Sequence, residues 1–263
     1  MIDNSGNLIS FIKRVYEFSL NDFKKKYSGS ALGVIWGYVQ ILILVIIYWL
    51  AFQFGLHAGE VDGIPFLPWF ISGFMPWLLF SDIISSSLNC MSEYSYIVKK
   101  VMFNIDIIPI SKILSCLFVH GFFLVLVFVV VLLYGINTGL FLLNIIYYFG
   151  ALMMLAIPLA FVCSVLSAFM KDFGQIISVL LNILMWTAPI IWNFSMVPES
   201  LRWVFMMNPM FYIISGFRDS LLYSRPISSM GYYCFYFWGI VAMAWFFGMR
   251  LYKKILPHLP DVL

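Results

Sequence analysis

Charged residues are scarce in this sequence: Asp, Glu, Lys and Arg make up 10% of the 263 residues, against ~25% in average soluble domains. So few charges cannot cover a water-soluble domain that is 63% hydrophobic and has a mean hydropathy of +0.98. A disordered chain is excluded too, because disorder requires low hydrophobicity. The composition therefore predicts a protein embedded in lipid and excludes a cytosolic enzyme.

Motifs of nucleotide-binding and catalytic sites are missing as well. The sequence has no GxxxxGK[ST] phosphate loop, no HExxH pair and no GxSxG nucleophile elbow. Its three His are scattered, and its four Cys lie far apart without a CxxC. We interpret the cysteines as small core residues rather than as a disulfide framework or metal site. We therefore predict that the chain is not an enzyme and that it binds no metal or cofactor itself.

Six apolar stretches are long enough to cross the hydrocarbon core of a membrane, which takes ~20 helical residues. The stretches are solidly apolar rather than alternating, which favours helices over the strands of a membrane barrel. The fifth is short and contains Pro189, so we expect a kinked or tilted helix there. The predicted spans cover residues 35–56, 67–87, 113–134, 142–168, 176–192 and 232–252.

The basic residues predict how these spans are oriented. Twelve of the 15 Lys and Arg lie before the first span, in the even-numbered loops or in the tail. The remaining three, Arg202, Arg218 and Arg225, lie in the longest loop on the other side. Because cytoplasmic loops are enriched in Lys and Arg, both termini are predicted to be cytoplasmic. Residues 1–30 contain no continuous apolar core, so we expect no cleavable signal peptide and expect the first span to direct insertion.

Residues 8–27 have the pattern of an amphipathic helix. On a helical wheel, apolar side chains fill slightly more than half of the circumference, and polar side chains such as Lys13, Arg14 and Lys24 fill the rest. This pattern predicts a helix that lies in the cytoplasmic membrane interface, with its cations toward anionic lipid headgroups. A soluble helix packed on a partner protein is the alternative.

The loop before the sixth span carries signals for two short helices at about residues 197–223. Pro198 starts the first helix, and Asn208-Pro209 ends it and begins the second, because a residue before Pro disfavours the helical conformation. We predict that both are re-entrant or interfacial helices forming an external gate, with Asn208 and Pro209 as its hinge. Arg218 is expected to anchor them by pairing with Asp219 or Glu199. A plain extracellular loop is the alternative.

Two ionisable residues are predicted to lie inside the membrane. Asp82 and His120 each lie eight residues from the cytoplasmic end of neighbouring spans, which places both ~12 Å deep. An unpaired carboxylate at that depth costs a few kcal/mol. We therefore predict that the two side chains are paired, directly or through water. The alternative is that Asp82 faces a channel or a dimer interface and is hydrated there.

The cytoplasmic loop between the second and third spans has a helical pattern of its own, which predicts a short helix at about residues 93–104. A short rigid helix between two spans is suited to docking into a groove on a soluble motor, and an ordinary solvated loop is the alternative. In the docked interpretation, apolar side chains fill the groove and lysines supply complementary charge. The predicted contact residues are Glu93, Tyr96, Ile97, Lys99, Lys100, Val101 and Phe103.

A series of short motifs runs along the whole chain, each at the matching place in the topology. With these motifs the sequence resembles the six-span permease subunits of ABC-2 type exporters, especially those that export O-antigen, capsule and teichoic-acid polysaccharides. The motifs are Phe23-Lys24-Lys25-Lys26-Tyr27, residues 30–36, Gly73, Pro76-Trp77, Phe80-Ser81, Asn89, residues 97–103, Pro109, residues 171–175, residues 189–192, Val197-Pro198, Arg202-Trp203, Asn208-Pro209 and Phe217-Arg218-Asp219.

The resemblance implies a homodimer of this chain joined to two copies of a separately encoded ABC ATPase, which would bind ATP and Mg²⁺. It implies export of an undecaprenyl-linked glycan across the bacterial inner membrane, and Arg218 is then an alternative contact for the carrier's pyrophosphate. Residues 1–30 would form the cytoplasmic N-terminus and residues 31–263 the six-span domain. Membrane lipid is an expected partner and nucleic acid is not. The alternatives are an ABC-2 exporter of drugs or lipids, and a non-transporting membrane scaffold.

Overall fold

The computed structural model describes residues 4–55, 57, 59–99 and 104–263. This part of the chain is helical apart from its turns, and it contains no strand beyond an isolated bridge between Val61 and Ile64. The all-α prediction is therefore confirmed. The α-helices are α1 (Asn4–Lys26), α2 (Ile35–Leu50), α3 (Phe66–Leu88), α4 (Cys90–Glu93), α5 (Ser95–Val98), α6 (Ile107–Leu133), α7 (Asn144–Phe169), α8 (Phe173–Thr187), α9 (Arg202–Met206), α10 (Pro209–Leu221), α11 (Tyr233–Met243), α12 (Met249–Ile255) and α13 (Leu259–Val262).

Within the described residues, five helical segments are long and apolar enough to cross a membrane, and α8 is a shorter apolar helix. A π-helical turn, Ala51–Gly55, extends α2, and another, Ala244–Gly248, joins α11 to α12. We expected a kink or a tilt at Pro189, and the kink is wrong, because α8 ends at Thr187 and Ala188 is extended with φ −86° and ψ 142°. The residue just ahead of a proline is pushed out of the helical region. The helix therefore stops before Pro189 instead of bending.

The bundle is organised around α3. This helix is buried over most of its length, and it packs against α6, α7 and α10. A helix that is apolar around most of its circumference belongs in the interior, and α3 is buried at every position from Pro68 to Trp77, which covers all of its sides. Cys90, Cys116 and Cys163 are buried, as their interpretation as core residues predicts, and Cys234 is partly buried.

Helix α1 lies along α6. Val15 and Phe23 are buried at this contact, whereas Ile9, Ile12 and Tyr16 are exposed on the outer side of α1. We call the end of the bundle that holds the C-terminus of α1 and the N-terminus of α6 the basic end, and the end that holds α9 the opposite end. The basic end is the one predicted to be cytoplasmic.

The predicted break at Asn208-Pro209 is confirmed, since α9 ends just before it and α10 begins at Pro209. Helix α10 is buried on nearly all sides against α3 and α7, which fits the re-entrant alternative and not a helix lying at the membrane interface. The packing against α7 is very close: a Cβ atom on Gly216 would lie 2.1 Å from the ring of Tyr148. Glycine is required there for the two helices to approach.

The structure does not form the single helix predicted over residues 93–104. In the described residues, the segment forms two single turns, α4 and α5, separated at Tyr94. Tyr94 has a non-helical backbone, with φ −114° and ψ 24°, because its buried ring and hydroxyl turn inward toward α1. Lys100, Val101 and Phe103 lie outside the described residues.

Candidate functional site

A cavity of about 530 Å³ opens at the basic end and is lined by α1, α2, α3 and α6. One face of α3 supplies a row of polar groups to it: Asp82, Ser85, Ser86 and Asn89, which follow the i, i+3, i+4, i+7 spacing of a single helix face. Gln40 adds an amide from α2. Polar side chains in a membrane helix normally face a cavity or a pathway rather than lipid. This row therefore marks the candidate substrate cavity.

Asp82 and His120 are paired directly, as predicted. Oδ2 of Asp82 lies 2.7 Å from Nε2 of His120. The imidazole of His120 is buried, with 1% exposed, whereas the side chain of Asp82 is 48% exposed and lines the cavity. Asp82 therefore serves two purposes that the sequence left as alternatives: it pairs with His120, and it presents carboxylate charge to an open cavity.

The rim of the cavity on the α1 side is basic. Lys25 and Lys26 line it and are exposed. Lys25 lies 4.9 Å from the ring centroid of Tyr94, and Lys26 lies 5.8 Å from that of Tyr27. Cation–π contacts at exposed sites are weak, ~0.5–1 kcal/mol, so both ammonium groups stay available to anionic groups that approach the rim.

The segment predicted to contact an ATPase divides into exposed and inward-facing residues. Tyr96 and Lys99 are exposed, whereas Ile97 is half-buried against the core of the chain itself. Glu93 is bound to Lys112 of α6, with Oε2 and Nζ 2.6 Å apart. Burial and the hydrogen bond to Asp22 raise the pKa of Tyr94 well above its usual range, so the phenol stays protonated and acts as a donor. Tyr96 and Lys99 are thus the described residues best placed for an external partner.

Arg218 does not pair with Asp219 or Glu199, and this prediction was wrong. Asp219 accepts hydrogen bonds from Ser229 and Arg225, and Glu199 pairs with Arg202 on the surface. Arg218 is itself buried, with 6% exposed, which also removes it as an open contact for a carrier's pyrophosphate.

The guanidinium of Arg218 instead binds backbone carbonyls beyond the end of α8. It donates to the carbonyl oxygens of Pro189, Ile190 (2.8 Å) and Trp69 (3.2 Å), and it lies 3.5 Å from the ring centroid of Trp69. A Cβ atom on Gly73, one turn from Trp69, would come within 2.7 Å of Nη2. Carbonyls beyond a helix C-terminus carry partial negative charge and attract cations. Arg218 therefore locks α10 to α3 and to the end of α8.

Asn208 connects the end of α8 to the start of α10. Its Oδ1 accepts from the backbone N–H of Met210 at 2.9 Å, which caps α10. Its Nδ2 donates to the Leu184 carbonyl at 2.8 Å and to the Thr187 hydroxyl at 2.9 Å. Pro209 occupies the first turn of α10, where its missing N–H costs nothing. Asn208 and Pro209 thus fix the junction, and their movement as a gate stays a prediction.

An aromatic groove of about 660 Å³ opens at the opposite end, between the end of α2, the start of α3 and the end of α8. Trp186 is exposed there, and the indole N–H of Trp192 donates to the Trp186 carbonyl at 3.2 Å. Asn193 and Glu60 add polar groups at the edge of the groove. Flat aromatic faces beside an amide and a carboxylate suit a sugar ring, which offers both C–H faces and hydroxyls.

The fold defines an all-helical, multi-pass membrane protein. The chain belongs to the ABC-2 type transporter family, which matches residues 16–222. It is similar to the O-antigen export system permease protein RfbA of Klebsiella pneumoniae, with 25% identity over 253 residues and 92% of each chain covered.

Two further relatives carry the same description. Another RfbA protein of Klebsiella pneumoniae is 24% identical over 209 residues, covering 75% of this chain and 76% of the relative. The RfbA protein of Myxococcus xanthus is 24% identical over 222 residues, covering 81% and 79%. The chain therefore matches these O-antigen export permeases over most of their length.

The sequence prediction missed one set of residues, formed by Asp22, Lys112 and Tyr94. The three side chains meet in a buried polar cluster. A signal existed in the sequence, because Asp22 is an acidic residue close to the run of basic residues that ends α1. Its partners lie 72 and 90 positions further along the chain, so no local pattern identifies them.

Proposed function

We propose that this chain is the membrane permease of an ATP-driven ABC exporter that moves a lipid-linked polysaccharide outward across the bacterial inner membrane. Two copies of the chain would assemble with two copies of a separate ATPase. The basic end, with both termini, would face the cytoplasm, as the distribution of Lys and Arg predicts.

The observation that carries the proposal is the match to O-antigen export permeases across 92% of both chains. A match of that extent includes the spans, the loop between the second and third spans and the helices at the opposite end. Fold-level likeness alone would leave the cargo open, so the chemistry of the cavity has to agree with the proposed substrate.

The polar row on α3 supports a carbohydrate. Hydroxyls of Ser85 and Ser86, the amide of Asn89 and the carboxylate of Asp82 are groups that exchange hydrogen bonds with sugar hydroxyls. A pathway for apolar drugs or for acyl chains would instead be lined predominantly by apolar side chains. The aromatic groove around Trp186 and Trp192 gives the same glycan a second surface at the opposite end of the bundle.

The energy would come from the partner, because the sequence lacks a phosphate loop. The ABC-2 family implies an ABC ATPase, and the segment from Glu93 to Phe103 is its proposed contact. Within this segment, exposed Tyr96 and Lys99 would meet the ATPase directly. Burying one large side chain at such a contact is worth ~1.5–3 kcal/mol.

The proposal is tested by deleting the gene, complementing the deletion with the wild-type chain, and measuring surface polysaccharide. We expect loss of surface polysaccharide, accumulation of lipid-linked glycan inside the cell, and recovery of both on complementation. A variant of the partner ATPase that lacks its phosphate-loop lysine is the matched control and should reproduce the deletion. Normal surface glycan in the deletion strain would refute polysaccharide export. Raised drug sensitivity would then favour the drug exporter, and no phenotype would favour a scaffold.

A further inference from the structure

Four residues from three elements share one polar centre at the basic end. Lys112, near the start of α6, places Nζ 2.7 Å from Oδ1 of Asp22 on α1 and 2.6 Å from Oε2 of Glu93 at the end of α4. The hydroxyl of Tyr94, between α4 and α5, donates to the same oxygen of Asp22 at 2.7 Å. The proposed ATPase-contacting segment is thus bonded to α1 through a third helix.

The centre is shielded from water on the sides of α1 and α6. The side chains of Lys112 and Asp22 are 12% and 6% exposed. Exposed ion pairs contribute little, but separating a buried pair leaves an uncompensated charge. Because one ammonium group meets two carboxylates and Tyr94 donates to one of them, the three elements cannot move apart without exposing or orphaning these groups.

Apolar contacts reinforce the same attachment. The ring of Tyr94 packs against Phe18 of α1 with centroids 4.8 Å apart, while Lys25 of α1 lies above that ring. Asp22, Glu93 and Lys112 also line the candidate substrate cavity. The same groups therefore join α4 to a wall of the cavity.

We propose that Lys112 is a positioning residue that couples the ATPase to the cavity. By holding α1 to α4 and α5, it makes α1 move with the segment that the ATPase displaces, and this movement changes the opening of the cavity. The inference rests on the proposed function. It gives α1 a mechanical role in addition to lying at the membrane interface.

The test uses the complete complex of permease and ATPase and compares Lys112→Met with Lys112→Arg. Lys13→Met is the matched control, because Lys13 also pairs with a carboxylate but is exposed, at 3.9 Å from Glu17. We expect Lys112→Met to keep ATPase co-purification and ATP hydrolysis, because the ATPase contact itself is unchanged. Export should fall about tenfold or more, because removing one partner of a buried charge pair weakens the attachment of α1 to α4. Lys112→Arg and Lys13→Met should export like the wild type.

A distance measurement separates positioning from a merely structural role. Spin labels at Asn21 on α1 and Ser92 on α4, both exposed, report their separation in a background without the native cysteines. We expect the same distance in the nucleotide-free and ATP-trapped states of the wild type, and a nucleotide-dependent or broadened distance in Lys112→Met.

Wild-type export by Lys112→Met, or an unchanged distance in that variant, would overturn the inference. If Lys112→Met fails to assemble, Asp22→Asn takes its place, since it keeps the Lys112–Glu93 pair and must give the same uncoupling. If the wild-type complex exports no glycan, the proposed function fails, and the distance measurement still decides whether Lys112 joins α1 to α4 and α5.

Discussion

Replacing Arg218 tests whether α10 is locked in place from inside the protein. Arg218→Met removes three hydrogen bonds to the carbonyls of Trp69, Pro189 and Ile190 and a cation–π contact with Trp69. Each hydrogen bond from a charged donor is worth ~1.5–3 kcal/mol, but the variant also avoids burying a charge. The two effects partly offset each other, so we expect a net cost of ~1–3 kcal/mol, the penalty for buried acceptors left without a donor, which lowers the apparent unfolding midpoint by roughly 5 °C.

The assay is thermal unfolding of the detergent-solubilised protein, read by the fraction that remains monodisperse after heating. Gly73→Ala should shift the midpoint in the same direction, because the added Cβ would lie 2.7 Å from Nη2 of Arg218 and push the guanidinium away. We expect this overpacking to cost ~1–3 kcal/mol. Arg202→Met is the control, since Arg202 forms an exposed pair with Glu199 worth ~1 kcal/mol or less. Equal midpoints for Arg218→Met and Arg202→Met would refute the proposed lock.

Three further substitutions follow from the site. Asp82→Leu should lower stability by ~1–3 kcal/mol because buried His120 loses its partner. Adding His120→Leu should recover most of that stability while export stays low. Wild-type export by the double variant would contradict a role for these polar groups. Tyr96→Ala should weaken ATPase binding ~10–100-fold in a titration of purified subunits, whereas exposed Tyr134→Ala at the opposite end should leave it unchanged. Trp186→Ala should reduce export without changing the unfolding midpoint, and undiminished export would show that the aromatic groove does not contact the glycan.

Patterns in the sequence were sufficient where hydrophobicity, a proline or depth in the membrane decided the outcome. The helical spans follow from apolar runs, because a helix is the cheapest way to satisfy backbone groups in lipid. The break before α10 follows from Asn208-Pro209, since proline restricts the residue ahead of it. The pairing of Asp82 with His120 followed from depth alone, because neighbouring antiparallel helices bring equal depths together.

Patterns failed where a side chain is satisfied by a distant segment. Arg218 was assigned to carboxylates near it in sequence, but it binds carbonyls about 30 and 150 positions away. Tyr94 interrupts a predicted helix because its hydroxyl reaches α1. Propensity and spacing carry no information on such partners, and tertiary contacts override them.

The sequence by itself determined the class of protein, its all-helical membrane-spanning character, and the family to which it belongs. Those properties depend on composition and on periods of a few residues, which remain visible before folding. Only the tertiary structure decided that a polar face of α3 opens into a cavity, that Arg218 is buried against carbonyls, and that Lys112 joins α1 to α4. These outcomes depend on which faces of separate helices meet, and helix packing is set by the fit of whole surfaces rather than by any one segment.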